Sequence, residues 1–260
     1  MQPDPNQNQL EEIGYRGLAY SEHYPLSGAN PVDTSEHPGA LICIEGTDRA
    51  GRSSHIALLR EWLENDGYGV VYTAFTSSGL AGEGIQKAKA GHTLGPLTMD
   101  LFYATDFADR VENDILPALR AGFVVLTDRY IYASLARSIV RGSDPEWAED
   151  MYRFAPKPDA VFYLDVTVEN LIPRVLSGGG FDHWESGLDF QEERNIYPSF
   201  IRYQQRLLRV FDDLVERYHL TRIDANKTMR EVFGDLKDQT KAVLDHTGVR
   251  PTSAKAEEGK

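Results

Sequence analysis

Short apolar runs alternate with longer amphipathic segments over most of the chain. Runs typical of buried strands occupy residues 40–45, 70–75, 123–127, 160–166 and 220–224. Apolar positions at helical spacing predict helices over 54–65, 98–120, 200–218 and 229–246. Within 98–120, Pro117 predicts a kink or a late break. Strands separated by helices of this size predict a parallel sheet covered on both faces, which is a doubly wound three-layer α/β/α domain.

The two ends of the chain lack this alternation. Residues 1–38 are polar and acidic and show no sustained period, so we expect an N-terminal extension that is partly disordered. Residues 249–260 are small and charged, which predicts a flexible tail. The 260 residues permit either one large domain or two, and we expect a single domain over 39–248.

Composition narrows the classes of function. A net charge of −13 argues against general affinity for nucleic acid polymers or anionic membranes, but it permits a local basic pocket. No apolar run approaches the length of a membrane span, and no secretory leader is recognisable. The only cysteine, Cys43, excludes a disulfide or a cysteine-based metal site within one chain. We therefore expect a cytoplasmic protein.

A candidate phosphate-binding loop follows the first predicted strand. Residues 46–53 read GTDRAGRS and lie directly before a predicted helix. Gly46 and Gly51 have the spacing that lets backbone amides surround phosphate oxygens, and Ser53 supplies a hydroxyl for Mg²⁺. Arg52 occupies the position where this loop pattern has lysine, and its planar fork is not equivalent to an ammonium group. The loop alone leaves an ordinary strand-to-helix turn open as the alternative.

The third predicted strand ends in Asp128-Arg129-Tyr130. Ligands of open α/β sheets bind outside the carboxyl ends of the strands. Asp128 could hold Mg²⁺ directly or through water, and Arg129 could bind a phosphate in a bidentate manner. If these two residues are considered without the loop, a surface ion pair is the alternative interpretation. Together with the loop, they favour a nucleotide site.

The ordered segments resemble those of the thymidylate kinase family. The resemblance covers about residues 41–244, and the segments that carry it are ICIEGTDRAGRSS, LFYATDFADRVENDILPALRAGFVVLTDRY and PKPDAVFYLDV, followed by the weaker GGGFDHWESG and RIDANKTMREV. It implies a P-loop NTPase-like fold and transfer of the ATP γ-phosphoryl group to dTMP, with Mg²⁺ as cofactor and dTDP and ADP as products. It also implies a homodimer.

The resemblance carries roles to individual residues. Those implied to bind ATP are Gly46, Arg49, Ala50, Gly51, Arg52, Ser53 and Ser54. Ser53 and Asp128 are implied to organise the metal, and Arg49, Arg52 and Asp128 to act in catalysis. The acceptor nucleotide is implied to contact Asp48, Tyr103, Phe107 and Arg129.

The transition-state arginine separates two branches of the family, since one branch carries it in the loop and the other in a mobile lid. Here Arg49 lies in the loop, and the lid candidate, residues 178–187, contains neither Lys nor Arg. Both observations agree with the loop-arginine branch. The glycine-rich segment with Phe181 and Trp184 suits a lid that closes over nucleotides, and an exposed surface loop is the alternative.

The sequence departs from the family pattern at three places. Arg52 replaces the loop lysine. After the second strand, residues 74–76 read Ala-Phe-Thr where the family has an arginine that helps to hold the acceptor phosphate. Phe107 stands where the family has an arginine that recognises the thymine edge, and Tyr103 one turn earlier could stack on a base or belong to the core.

Three cations near these positions could substitute for the missing arginine: Lys87, Lys89 and Arg137. The departures leave two alternatives to a dTMP kinase. One is a kinase for another nucleoside monophosphate, which Phe107 favours. The other is a catalytically weakened nucleotide-binding or regulatory homologue, which Arg52 and Ala74 favour.

Overall fold

The sheet is the centre of the computed structural model, which describes residues 37–91 and 94–251. Its five strands pair in parallel in the order β2-β3-β1-β4-β5. In chain order they are β1 (Ala40–Glu45), β2 (Val70–Ala74), β3 (Val124–Asp128), β4 (Ala160–Asp165) and β5 (Thr221–Asp224). The predicted parallel sheet is therefore confirmed, and each predicted strand lies within a residue or two of its observed bounds.

Helices cover both faces of this sheet. They are α1 (Arg52–Asn65), α2 (Gly82–Gly91), α3 (Pro96–Arg110), a π-helical turn (Val111–Ile115), α4 (Leu116–Arg120), α5 (Ile131–Val140), α6 (Pro145–Asp150), α7 (Val168–Ser177), α8 (Ile196–Tyr218) and α9 (Met229–Thr247). Helices α1, α7 and α9 pack on one face, and α3 to α6 with most of α8 pack on the other. This arrangement confirms the predicted three-layer α/β/α fold.

Strand β1 shows why the sheet is buried on both sides. Successive side chains of a strand point to opposite faces, so Leu41 and Cys43 join the core under α5 and α8, whereas Ile42 and Ile44 join the core under α1 and α9. All four are fully buried. A central strand of a parallel sheet therefore reads as a continuous apolar run rather than as an alternating pattern.

The predicted helix over 98–120 differs in detail. It begins at Pro96 and contains the π-helical turn, which lies immediately before the proline-containing segment α4. Pro117 has no amide proton to donate to the preceding turn, so the break in the α-helical ladder occurs upstream of it. The chain therefore stays helical through Pro117 to Arg120, and the irregularity is a π turn before the proline rather than a break at it.

Most of the two predicted tails lies outside the described residues, so the boundaries 1–38, 39–248 and 249–260 stay predictions. Within 37–91 and 94–251, no helix is both long and apolar enough to cross a membrane.

Candidate active site

The loop between β1 and α1 adopts a backbone that favours glycine. Gly46 and Gly51 have φ angles of 143° and 102°, and Arg49 between them is also left-handed at 64°. A Cβ on Gly46 would lie 3.1 Å from the carbonyl oxygen of Leu164 on the neighbouring strand. No side chain caps the N-terminus of α1 at Gly51. The first-turn amides of α1 are therefore free to bind an anion, and the helix dipole favours negative charge there.

Arg52 lies folded into the loop and is largely buried. Its Nη1 donates to the carbonyl oxygen of Gly46 over 2.6 Å and to that of Thr47, and its Nε donates to Oδ1 of Asp128 over 2.7 Å. The planar guanidinium thus joins the first half of the loop to the end of β3. A lysine has a single ammonium centre and could not make these contacts in the same geometry.

Ser53 and Asp128 bring two oxygen ligands together at the start of α1. Ser53 Oγ donates to Oδ2 of Asp128 over 2.7 Å. Burial acts to raise the pKa of Asp128, but the charges of Arg52 and Arg129 and the hydrogen bonds to the carboxylate outweigh it, so this pKa is lowered. An ionised carboxylate beside a hydroxyl is a donor set that a hard cation such as Mg²⁺ prefers. These two residues therefore fit the predicted metal position.

Asp48 holds two arginines at the opposite side of the loop. Its Oδ1 accepts from Nη2 of Arg129, and its Oδ2 accepts from Nη2 of Arg137 over 2.6 Å. Burial acts to raise the pKa of Asp48, but the two guanidiniums lower it well below the usual range. Burial and repulsion from Arg52 lower the pKa of Arg129 to about 10. Asp48, Arg129 and Arg137 are therefore all charged at neutral pH.

A cavity of about 270 Å³ opens beside Arg137, one of the two arginines bonded to Asp48. Among the residues that line it are Lys89, Met99, Asp100, Tyr103, Ser134, Arg137, Arg141, Trp184 and Asp189. The ring of Tyr103 stacks on that of Phe75 at a centroid distance of 4.7 Å. The guanidinium carbon of Arg129 lies 5.6 Å from the centroid of the Phe75 ring. The end of β2 therefore contributes an aromatic ring next to Arg129 rather than a cation.

Phe107 lies in a different place from the other predicted acceptor residues. It is 2% exposed, is not among the residues that line the cavity, and packs edge-on against Tyr130 and Tyr152. One turn further along α3, Arg110 is buried with its Nε bonded to Thr73 Oγ1 over 2.9 Å. The structure thus places Phe107 in the core under α5, and this position argues against direct contact with an acceptor base.

The lid candidate, residues 178–187, lies against the loop. Arg49 Nε is 3.7 Å from Glu185 Oε2, and a Cβ on Gly178 would lie 2.6 Å from Arg49 Nη1. Trp184 Nε1 donates to the carbonyl oxygen of Lys89 over 3.1 Å, which closes one side of the cavity. Burial and the nearby Asp48 raise the pKa of Glu185. The segment is therefore docked between the loop and α2.

Most of the residues predicted for the site lie around this loop and cavity. They are Gly46, Asp48, Arg49, Gly51, Arg52, Ser53, Ser54, Arg129, Asp128 and Tyr103. Ala50 is buried behind the loop, where its carbonyl oxygen accepts from Arg174. Of the three cations considered as substitutes, Arg137 and Lys89 line the cavity, whereas Lys87 pairs with Glu83 on the exposed side of α2. The roles of all these residues stay predictions.

The sequence did not identify three residues of the site. Arg141 contacts Asp189 and Tyr203, Asp100 accepts from Ser138 and Ser143, and Glu185 faces Arg49. Arg141 caps the C-terminus of α5 four residues after Arg137, so a helical period would have paired the two, but no helix was predicted there. No signal in the sequence points to the inward position of Asp100.

The fold and the site define a class of protein. A parallel sheet with a phosphate-binding loop after β1, a serine–aspartate pair and a cation-lined cavity is the architecture of a P-loop phosphotransferase. The family model described as "Thymidylate kinase" matches residues 44–236. The chain belongs to the thymidylate kinase family.

Relatives of known description agree with this assignment. The chain is 36% identical to "Probable thymidylate kinase 2" of Saccharolobus solfataricus, over 80% of this chain and 99% of that protein. It is 41% identical to "Probable thymidylate kinase" of Thermococcus kodakarensis, over 53% of this chain and 71% of that protein. A "Thymidylate kinase" of Brachyspira hyodysenteriae is 29% identical over 62% of this chain and 81% of that protein.

Proposed function

We propose that this protein is a thymidylate kinase that transfers the γ-phosphoryl group of ATP to dTMP and releases dTDP and ADP. The observation that carries the proposal is the position of the cavity relative to the loop. Asp48, a loop residue, holds two arginines, and Arg137 of this pair lines the cavity. An acceptor phosphate bound at this pair would therefore lie next to the loop that binds the donor phosphates.

Phosphoryl transfer leaves the protein little covalent chemistry, so positioning and neutralisation of charge account for most of the rate. The first-turn amides of α1 would bind the donor phosphates, with Ser53 and Asp128 holding Mg²⁺, directly or through water. The metal supplies charge neutralisation for the phosphate oxygens when it is bound. Arg52 keeps the loop in its curved form by bonding Gly46 and Thr47.

Arg49 would stabilise the charge that develops on the transferred phosphoryl group. Its side chain is 37% exposed, and Glu185 is its nearest carboxylate in this structure. The 3.7 Å separation from Glu185 is longer than a hydrogen bond. Arg49 therefore keeps N–H donors for a phosphate.

The test is the release of ADP from Mg·ATP with each nucleoside monophosphate in turn. We expect turnover with dTMP that falls at least a hundredfold in Asp128→Asn, because this change removes the carboxylate from Arg52 and from the metal position. Binding of nucleotide without turnover on any acceptor would contradict the proposal, and would support a non-catalytic homologue.

A second candidate function is a kinase for another nucleoside monophosphate. It is favoured by the core position of Phe107 and by Asp100 in the wall of the cavity, where Oδ2 accepts from Ser138 over 2.6 Å and from Ser143 over 3.0 Å. A carboxylate only accepts hydrogen bonds. It would accept one from the exocyclic amino group of cytosine, whereas thymine has the acceptor O4 at that position. A preference for dCMP over dTMP in the same assay would select this candidate.

The proposal also includes a homodimer and a cytoplasmic location. They rest on the family resemblance and on the absence of an apolar span in the sequence. Light scattering on the purified chain measures the first, and a mass of one protomer would contradict it.

A further inference from the structure

We propose that Arg137 is the second cation that binds the acceptor phosphate, and that it forms a clamp with Arg129 on either side of Asp48. The inference rests on the proposed function and deepens it. It assigns a residue on α5 to the recognition of a phosphate monoester.

The geometry of Asp48 supports this clamp. The two oxygens of one carboxylate receive one Nη2 group each, from Arg129 and from Arg137. A guanidinium has five N–H donors, so each arginine keeps donors that Asp48 does not use. Asp48 thereby fixes both planar groups next to each other, and Arg137, with donors that Asp48 does not use, lines the cavity.

The charge of this part of the site also favours an anion. Arg129 and Arg137 are 15% and 13% exposed and share Asp48 as their hydrogen-bonded carboxylate. The cavity beside Arg137 is lined by the cations Lys89, Arg137 and Arg141 and by the carboxylates Asp100 and Asp189, which leaves an excess of positive charge. Largely buried cations without matching carboxylates are costly. A phosphate monoester, with a charge near −2 at neutral pH, balances this excess.

The neighbouring cations are already engaged elsewhere. Arg52 is bonded to Asp128 and to two loop carbonyls, and Arg141 is bonded to Asp189 and to Tyr203. The end of β2 offers no cation, because residues 74–76 are Ala-Phe-Thr. Phe75 instead fills the space under Arg129. Arg137 is therefore the guanidinium that completes a two-arginine contact at the acceptor side.

The experiment compares the binding of dTMP with that of thymidine, which lacks the phosphate, by titration calorimetry. In Arg137→Gln we expect dTMP to bind at least tenfold more weakly, with the affinity for thymidine unchanged within twofold. Arg137→Lys keeps the charge but removes the planar guanidinium. We therefore expect a smaller loss of affinity for dTMP and an unchanged affinity for thymidine. Arg153→Gln removes an exposed arginine bonded to Asp150 and serves as the matched control.

The outcomes distinguish an Arg137 that binds the acceptor phosphate from an Arg137 that only supports the structure. Equal loss of dTMP and thymidine would make Arg137 a structural residue and overturn the inference, as would unchanged binding of dTMP. If Arg137→Gln does not fold, Arg137→Lys decides, because weaker dTMP binding with unchanged thymidine binding supports the clamp and any other pattern overturns it. A wild-type protein that shows no turnover with dTMP contradicts the proposed function instead.

Discussion

Arg52 and Asp128 are joined by a hydrogen bond of 2.7 Å between Nε and Oδ1, and this bond ties the phosphate-binding loop to the end of β3. The same carboxylate accepts from Ser53 through its other oxygen. Asp128 therefore has two partners on α1, one that anchors the loop and one that belongs to the predicted metal position. Arginine at position 52 supports the structure of the loop as well as its charge.

Arg52→Lys is the first prediction. Lysine cannot reach both loop carbonyls and Asp128 in the same geometry, so we expect the free energy of unfolding to fall by about 1.5–3 kcal/mol, the range for a lost charge-assisted hydrogen bond. We also expect that turnover does not rise. Urea unfolding and the ADP assay measure the two effects.

The control for this change is Arg60→Lys. Arg60 is exposed and pairs with Glu64 one turn along α1, and such pairs contribute about 0.3–0.5 kcal/mol. An activity that rises sharply in Arg52→Lys would show that the natural loop is a weakened one, and would contradict the structural role given to Arg52.

Ser53→Ala tests the metal position. The change removes the hydroxyl that bonds Asp128 but keeps the backbone amide that is proposed to bind the donor phosphates. We expect kcat to fall at least tenfold and the concentration of Mg²⁺ needed for half-maximal activity to rise. Ser177→Ala, at the exposed end of α7, is the control. Loss of activity with an unchanged Mg²⁺ requirement would speak against Ser53 as a metal ligand.

The strands were predictable because burial on both faces produces short, continuous apolar runs. Helix α5 was not predicted, and its residues 131–136 are all buried, so burial there does not follow the helical period. Helix α2 is rich in glycine, and α7 contains Pro173, which reads as a break. Propensity and period therefore failed where tertiary packing decides the structure.

The same limit applies to the site. The loop and Asp128 are local motifs that the sequence contains in full. The contact between Asp48 and Arg137 joins residues 89 positions apart and depends on how α5 docks. The resemblance assigned Phe107 to the acceptor from its aligned position, but α3 directs this ring into the core. A motif predicts the residues within it, whereas packing decides which distant side chains join it.

Phe107 and Tyr103 lie one turn apart on α3 and should respond differently to substitution. Phe107→Ala removes a core ring, so we expect about 3–5 kcal/mol lower stability in urea unfolding. Tyr103→Leu removes a cavity ring that stacks on Phe75, so we expect a KM for dTMP at least fivefold higher. A change of acceptor preference in Phe107→Ala at unchanged stability would place Phe107 in the acceptor site after all.

Asp48 should make the protein sensitive to acid. Its pKa is lowered in the folded state, since Arg129 and Arg137 outweigh the effect of burial, whereas the unfolded chain keeps the ordinary value of 3.8. The folded state therefore binds the proton less tightly. The contribution of the ionised carboxylate to stability is complete above pH 5 or so and declines as the pH falls below that ordinary value.

Asp48→Asn measures this contribution. At pH 7 we expect the change to cost about 3–5 kcal/mol, because it leaves two largely buried guanidiniums without their carboxylate. Urea unfolding between pH 6 and pH 2.5 should show the difference from wild type shrinking toward the acid end, as the wild-type carboxylate loses its advantage. Asp150→Asn, which removes an exposed carboxylate bonded to Arg153, controls for net charge. A difference for Asp48→Asn that stays constant across this range would mean that the side chain acts through its shape rather than its charge, and the ion pairs with Arg129 and Arg137 would lose their assigned role.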